Sequence, residues 1–480
     1  MKYKSVQMAV IGQEKSLRYD VDYHLYYQKA ERDFYRFEDL FEIIVDDGVP
    51  VDDLYCPFLY CEIGNVDKNG QVSPVLLDFS ERSLEDESYY KKIEKGDIIA
   101  VRTGDILIAK VRPNLKKYVR VTEETSSIYF TSAFIHIRVK RIPEILYYCF
   151  RSVFHTDLMA ISRQGKGYPT ISESDLRELL FSRKAIDALE RNSDKLTRVV
   201  HDLESRIKTI NRNILPPQRI IDNILSDCLG VDVDGLRTTD KAHDLSMLFN
   251  TISANNESLR SSYRWEKALK IQNALVSMAD NCVPLGTHIL STKNGWSPEC
   301  DENASSYKVL SLDALSWDTE LKMECVKKSD LERNNLDQFI LRDGDFLVSR
   351  GNGSDELVGL ASIVHIVEDD VPIIYPDIMI RVCFDDAVEK QYIAYIFNSS
   401  IGRLFFKYAS KGSNKKKITP LELGQFRAPL PDHQTQTSIV EKIQAAFSSQ
   451  KKLESEIERL RLEIEKTIVD VIVGDSLYHG

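Results

Sequence analysis

The chain has 480 residues, 43% of them hydrophobic and 29% charged, and a formal net charge of −11. That length leaves room for roughly two to four domains with proper cores, and the residue balance is that of a soluble globular protein, which excludes a disordered or fibrous chain. No run approaches ~18 apolar residues and Met1 to Gly12 has no apolar signal core, so the expectation is a cytoplasmic protein with no membrane partner.

In chain order, the first feature is acidic. Residues 31–90 hold sixteen Asp or Glu against four Lys or Arg, so nearly all of the net charge is local to them. The remainder is close to neutral and carries basic stretches: Lys110, Arg112, Lys116, Lys117 and Arg120 early, and Lys411, Lys415, Lys416 and Lys417 late. Net charge therefore leaves DNA binding open, because what matters is whether such clusters share a face. Strand-like runs follow at Ile98 to Val101, Asp105 to Val111 and Phe134 to Val139, and a helical patch at Glu144 to Met159. The second half repeats the order. Its runs are Tyr307 to Leu312, Asp345 to Ser349, Ala361 to Ile366 and Ile378 to Cys383, with a helical patch from Val388 to Tyr408 and breaks at Gly104, Gly344, Gly351 and Gly353.

The repetition is visible in the letters. Ser16-Leu17-Arg18 returns as Ser258-Leu259-Arg260, Gly104-Asp105-Ile106-Leu107 as Gly344-Asp345-Phe346-Leu347, and Leu203-Glu204-Ser205-Arg206-Ile207 as Leu453-Glu454-Ser455-Glu456-Ile457, each about 240 to 250 residues on. A tandem of two similar units can touch a partner at two places a fixed distance apart, which favours recognition over catalysis.

Each unit gives way to a long helix with one apolar seam. In the first, Leu189, Leu196, Val200, Leu203, Ile207, Ile210 and Ile214 alternate gaps of four and three if Ser193 fills a position. In the second, Ile439, Ile443, Ala446, Leu453, Ile457, Leu460, Ile464 and Val471 do the same, with Gln450 and Thr467 filling two. A sustained period of about 3.5 residues marks coiled-coil helices, and the economical reading packs the two together, antiparallel. Pro216-Pro217 is expected to end or kink the first helix and Gly474 to stop the second. From Leu189 to Ile214 the rise is roughly 38 Å at about 1.5 Å per residue, against about 34 Å for one turn of B-DNA. The fold expected is α+β: two similar strand-rich recognition domains at 1–182 and 258–431, separated by two long antiparallel coiled-coil helices at 183–228 and 432–480, with a linker at 229–257.

Here the sequence resembles a known family, the specificity (S) subunits of type I restriction-modification enzymes. The likeness covers both halves. It rests on the order of target-recognition domain, helix, target-recognition domain, helix; on the G-D-[IF]-L strands; on Gly412-Ser413 followed by Ile418-Thr419 and Leu423; and on Ala428-Pro429-Leu430-Pro431 leading through Gln436 to Ile439-Val440. The chain departs from the family's pattern at Thr435, at Phe181-Ser182-Arg183-Lys184 and in the acidic stretch. What the resemblance implies is a non-catalytic subunit without cofactors, each domain reading one half of a bipartite double-stranded DNA site. The helices would set the spacing and dock two methyltransferase (M) subunits, through which restriction and motor (R) subunits join.

Base reading needs side chains that reach base edges and cations at phosphates. Two loops in each unit carry that chemistry. In the first they are Arg112, Asn114, Lys116 and Lys117 after the Gly104 strand, and Arg163, Gln164, Lys166 and Tyr168 before Ile171. In the second, Arg350, Asn352 and Ser354, and Lys411, Ser413, Asn414, Lys415, Lys416 and Lys417, occupy the corresponding points. Gly351 and Gly353 are read either as allowing close approach to phosphate or as a simple hairpin turn. There is no N-P-P-[FY] or D-P-P-Y string for amino-methyl transfer and no G-x-x-x-x-G-K-[ST] for a nucleotide motor. Glu320-Leu321-Lys322 near Asp313 and Asp318 is the one string that could hold a nuclease metal, and the nine histidines form no ligand pair. The eight cysteines are scattered without a C-x-x-C and read as buried thiols. Two other readings stay open: a coiled-coil DNA-binding or protein-interaction component of a related phage-defence system, and an unrecognised nuclease or methyltransferase.

Overall fold

A computed structural model describes residues 33–478 of the chain, apart from 46–48, 50–53, 55–56, 80–85, 165–166, 242–258, 353–356, 366–370 and 413–415. The chain divides into two compact units, one made of the residues up to Asn211 together with those from Ser455 onward, the other of Arg212–Glu454. Both mix helices with many short strands. Of the Ser-Leu-Arg repeat, the first copy and Ser258 lie outside the described residues.

The first unit contains β1 (Phe34–Arg36), β2 (Phe41–Ile43), β3 (Phe58–Cys61), β4 (Val75–Leu77), β5 (Ile106–Ala109), β6 (Tyr118–Arg120), β7 (Tyr129–Phe130), β8 (Phe134–Val139), β9 (Arg163–Gln164), β10 (Pro169–Thr170) and β11 (Leu180–Ser182). They pair as a four-stranded sheet β2-β8-β5-β6, a three-stranded sheet β4-β3-β7, and two ribbons, β1-β11 and β9-β10. β5 is central because all four of its residues are apolar and buried. Side chains alternate across a strand, so Leu107 and Ala109 enter a core that also holds Cys61, Val119 and Phe130 from both sheets, while Ile106 and Ile108 face the other way. Each large aliphatic side chain so buried contributes about 1.5–3 kcal/mol. The acidic stretch of the sequence holds four of these strands, in which Phe41, Ile43, Phe58, Tyr60, Cys61 and Leu77 are buried and Glu42 faces out.

The second unit builds the same figure from β12 (Cys282–Pro284), β13 (Ile289–Asn294), β14 (Tyr307–Leu310), β15 (Val326–Ser329), β16 (Phe346–Ser349), β17 (Gly351–Asn352), β18 (Ala361–Ile363), β19 (Ile373–Ile374), β20 (Met379–Phe384), β21 (Lys416–Lys417) and β22 (Arg427–Pro429). Its sheets run β13-β20-β16-β18 and β15-β14-β19, with ribbons β12-β22 and β17-β21. Even the single parallel pairing within each small sheet matches, β3 with β7 and β14 with β19. Leu347 enters the core between the sheets with Leu310, Ile373 and Met379. Phe346 and Val348 pack on the other face against Tyr392, Ile396 and Phe405, which come from the helices Lys390–Asn398 and Ser400–Ala409.

The repeated G-D-[IF]-L string is a structural device. Gly104 and Gly344 turn the chain at φ of +91° and +75°, a region closed to most side chains. The next residue caps that turn: Asp105 Oδ2 accepts from Arg102 N at 2.9 Å, and Asp345 Oδ2 from Arg342 N at 2.9 Å. Each carboxylate then binds a cation on the neighbouring strand, Arg138 at 3.0 Å and Arg381 at 3.1 Å.

The helical segments depart from expectation in several ways. The first helix, expected over 183–228, is three: Arg183–Arg191, Ser193–Asn211 and Pro217–Leu229. Pro217 opens the third rather than ending the second, because at the first helical position its missing N–H costs nothing. Leu189, Leu196, Val200, Leu203 and Ile207 are buried, but Ile214 lies in the loop beyond Asn211. The expected linker holds a further helix, Val233–Lys241.

The second long helix, His433–Tyr478, runs through Gly474 without stopping. Its Ile439, Val440 and Ile443 join the core of the second unit with Ile221 and Leu225. There Leu215 N donates to Gln450 Oε1 at 3.1 Å and Lys442 Nζ lies 3.4 Å from Cys228 Sγ, so residue numbers rise on one strand of the pair and fall on the other, an antiparallel course. In the first unit Ile457, Leu460, Ile464 and Ile468 are buried, Ile468 taking the place expected of Thr467 and Val471 as a straight helix drifts from a strict seven-residue repeat. Arg206 reaches Glu456 at 3.8 Å across that pair. This unit is fastened to both helices: Arg120 of β6 grips Glu204 with two 2.8 Å bonds, and buried Arg151, at the end of the helix Pro143–Arg151, sits 3.8 Å from Glu465.

The cysteines also differ from the reading. Cys61 and Cys149 are buried, burial pushing the Cys61 thiol up to about 12, but Cys300 and Cys383 are exposed, one in a loop and one on the outer face of β20. Cys56 lies outside the described residues.

Candidate nucleic-acid interface

In the first unit the two loops singled out in the sequence meet. Val111 bridges to Thr170, Arg112 N donates to Pro169 O at 2.9 Å, and the Arg112 guanidinium stacks over the Tyr168 ring at 5.2 Å. Arg112, Asn114 and Tyr168 are exposed. Arg112 and Lys116 both hold left-handed backbone at φ of +53° and +52°, strain that persists only where the surroundings overdetermine it. The surroundings do so here. Lys116 Nζ donates to Arg151 O at 2.7 Å, Lys117 Nζ to Ile63 O at 2.9 Å, and Tyr118 Oη to Pro113 O at 3.1 Å. Burial, reinforced by the charges of Lys116 and Arg151, pushes His155 down to about 4, and this neutral ring lies 2.9 Å from the same Tyr118 hydroxyl. Lys116 and Lys117 thus spend their ammonium groups bracing the loop, leaving Arg112 and Asn114 at its tip.

Arg163, half turned to solvent, donates to Asp175 Oδ1 at 2.8 Å. That buried carboxylate also accepts from Ser172 N at 2.9 Å and so caps the helix Glu173–Leu176. Gln164 takes its place in β9 through the backbone, and Lys166 lies outside the described residues.

The second unit brings its loops together through a ladder. Gly351 pairs with Lys417 and Asn352 with Lys416, and Ile418 N donates to Arg350 O at 2.8 Å. A Cβ on Gly351 would meet Lys416 O at 3.2 Å, so this glycine makes room for the partner loop and is no hairpin turn. Lys417 is exposed, whereas Lys416 is only 7% exposed and donates to Gly412 O at 2.6 Å, which makes it a brace. Lys411 sits 3.4 Å from Glu422, the carboxylate that caps the helix Pro420–Gln425 through Thr419 N at 2.8 Å. Ser354, Ser413, Asn414 and Lys415 lie outside the described residues.

Backbone bonds give a sharper equivalence than the sequence did. Ile171 N donates to Lys110 O at 2.9 Å just as Ile418 N donates to Arg350 O, so the partner of Arg350 in the first unit is Lys110 and not Arg112. Their side chains agree: Lys110 Nζ donates to Ser132 O at 2.9 Å and Arg350 Nη1 to Asp377 O at 3.4 Å. Both cations stand six residues beyond the glycine of the repeated string, a signal present in the sequence. Each unit therefore presents one exposed edge where a strand-end loop, held by a cation, closes against a hairpin that leads into a capped short helix. Such an edge can offer cations and amide side chains to a polyanion on a rigid base.

The string considered for a nuclease is occupied otherwise. Glu320 binds Lys451 at 2.7 Å, and Leu315 and Leu321 form a bridge that folds the segment as a turn. Among the described residues no group of three His, Cys, Asp or Glu side chains is placed to hold a metal ion, and no helix is long and apolar enough to cross a membrane.

No family model matches the chain. The type I restriction enzyme EcoKI specificity subunit of Escherichia coli (strain K12) is 23% identical over 166 residues, 34% of this chain and 35% of that protein, so the chain aligns with about a third of that relative's length. Among solved structures, one described as the structural basis of complex assembly and conformational transition of the type I R-M system covers 92% of this chain and 96% of its own, at 16% identity and a TM-score of 0.36. The HsdS subunit from Thermoanaerobacter tengcongensis covers the same shares at 16% identity and a TM-score of 0.29. A type I restriction-modification S subunit from M. genitalium gives 92% and 95%, at 12% identity and a TM-score of 0.37.

Proposed function

We propose that this chain is the DNA sequence-specificity subunit of a type I restriction-modification system, a non-catalytic cytoplasmic protein that tells bound methyltransferase subunits where to act. The observation that carries the reading is the doubled edge. Two units with the same sheet order close the same pair of loops by the same backbone bonds, and leave Arg112 and Asn114 on one edge and Lys417 on the other exposed. The similarity to a specificity subunit supports it. In this reading each edge lies along one half of a split duplex site, and the helices fix the gap and dock two methyltransferase subunits, with restriction and motor subunits joining through them. The chemistry is then the partner's, which flips an adenine out of the stack to methylate it.

The test is retention of duplex DNA by the full chain with its methyltransferase partner across a salt series. Phosphate contacts release counterions, so affinity should fall steeply as salt rises. Replacing exposed Lys417 by Ala should weaken binding about equally on all sequences and lower the logarithmic salt slope by about 1. Binding that is absent, or indifferent to salt, sinks the reading and favours a protein-interaction role.

A further inference from the structure

Resting on that reading, we propose that Asp377 is a specificity-determining residue of the second unit, its carboxylate accepting a hydrogen bond from the exocyclic amino group of a cytosine or adenine. The position follows from the repeat. Asp377 and Ser132 occupy the same place, just before β20 and β8, and each gives its backbone carbonyl to the cation of its edge, Arg350 or Lys110. The backbone is common to the two units while the side-chain chemistry differs, as expected where two halves of an asymmetric site are read by one scaffold.

The carboxylate is also held in place. Ser297 Oγ donates to Asp377 Oδ1 at 2.6 Å, and Asp377 N donates back to Ser297 Oγ at 3.0 Å. The loop that brings Ser297 is itself tied down: Gly295 N donates to Met379 O at 3.1 Å and Trp296 N to Tyr375 O at 2.9 Å. A Cβ on Gly295 would meet Tyr375 O and Pro376 O at 2.2 Å, so only glycine permits this approach. In the first unit the pair is reversed, Asp97 Oδ1 accepting from the Ser132 hydroxyl at 2.8 Å, so there the half-buried serine carries the position.

Asp377 is exposed, and its carboxylate is repelled by phosphate. On an edge laid along DNA it finds complementary donors only in the groove, where base amino groups offer N–H and an aspartate accepts from them. The Arg350 guanidinium bonds the backbone carbonyl of Asp377, so this hydrogen bond does not occupy the carboxylate.

The experiment uses the full chain with its methyltransferase partner and maps methylated sequences by long-read sequencing, with affinity measured on the preferred duplex. Asp377→Asn keeps the shape and exchanges an acceptor for a donor. It should alter or relax a single base position in the half read by the second unit, leave the other half unchanged, and weaken binding to the original site roughly tenfold to a hundredfold. Ser297→Ala, which frees the carboxylate without removing it, should weaken binding less and keep the base preference. If Asp377→Asn leaves the sequence and the affinity unchanged, or lowers affinity equally on every duplex with thermal unfolding unaltered, the assignment of Asp377 is overturned. Were the unsubstituted complex to methylate no bipartite sequence, the functional reading itself would fail, a result distinct from either.

Discussion

Exchanging residues 33–182 for the matching segment of another target-recognition domain is expected to replace one half of the methylated sequence and leave the other half intact. The expected effect is of the all-or-none kind, since specific sites outbind non-specific DNA by about 10³-fold or more. The geometry of the segment makes the exchange practicable. It enters through β1 and leaves through β11, which lie side by side with Phe34 opposite Ser182, and Arg183 N donates to Asp33 O at 3.1 Å just beyond. A graft cut at this neck joins two points already in contact. The second unit is built alike, β12 against β22, with Leu430 N on Asn281 O at 3.0 Å. The incoming segment must supply cations for Glu204 and Glu465, or those carboxylates lose Arg120 and Arg151. Methylation mapping checks the result, and an unchanged sequence in both halves would refute reading by halves.

Asp105→Ala is expected to cost about 3–5 kcal/mol, the range for stripping one partner from a buried ion pair. Its side chain is 2% exposed and takes His136 Nε2 at 2.7 Å and Arg138 Nε at 3.0 Å. Alanine would remove the carboxylate to which His136, Arg138 and Arg102 N all donate. Asp345→Ala should cost less, because that side chain is 18% exposed and water can replace it. The pH dependence has a definite sign. Burial raises the Asp105 pKa, but hydrogen bonds from His136, Arg138 and Arg102 N outweigh it and hold the carboxyl below the ordinary carboxylate range. A lowered folded value means the stabilisation is present above the unfolded pKa of about 3.9 and is lost as pH falls through the folded one. Asp105→Asn should therefore unfold at a lower temperature than the parent at pH 7, with the gap closing in acid below about pH 3.9. A pH-independent gap would show that shape, not charge, is what matters at this position.

Much of this fold was legible because it is written in local patterns. The G-D turn announces itself, since glycine followed by a capping aspartate admits few alternatives, and the apolar runs of β5 and β16 are strands for want of any polar face. The helix seams were legible in residue type but not in continuity. Asn192 and the 212–216 loop interrupt them, and pairing with the core of the second unit, not only with the other helix, decided which side chains were covered. Of the three-stranded sheets only β14 was legible, in the run from Tyr307; the other strands, of two to four residues, carry too little pattern. At the edges, the paired loops were legible in the sequence but the direction of their lysines was not: Lys116, Lys117 and Lys416 are neighbours of Arg112 and Lys417 in the chain, but each ammonium finds a carbonyl within its own fold. A run of like charge says nothing about which members turn inward.

The first unit is assembled from residues on both sides of the second, and this imposes an order on synthesis. When Ser193–Asn211 leaves the ribosome, the helix segment that carries Ile457, Leu460 and Ile464 does not yet exist. Residues 212–454 must be translated first, roughly ten to fifty seconds at about 5–20 residues per second. The contiguous second unit can close during that interval, while Leu196, Val200 and Leu203 wait uncovered on the nascent chain. Chains released at Glu454 should be nicked by protease within Ser193–Asn211 and spared within β16 and β20; equal resistance in both would mean that the waiting seam shields itself.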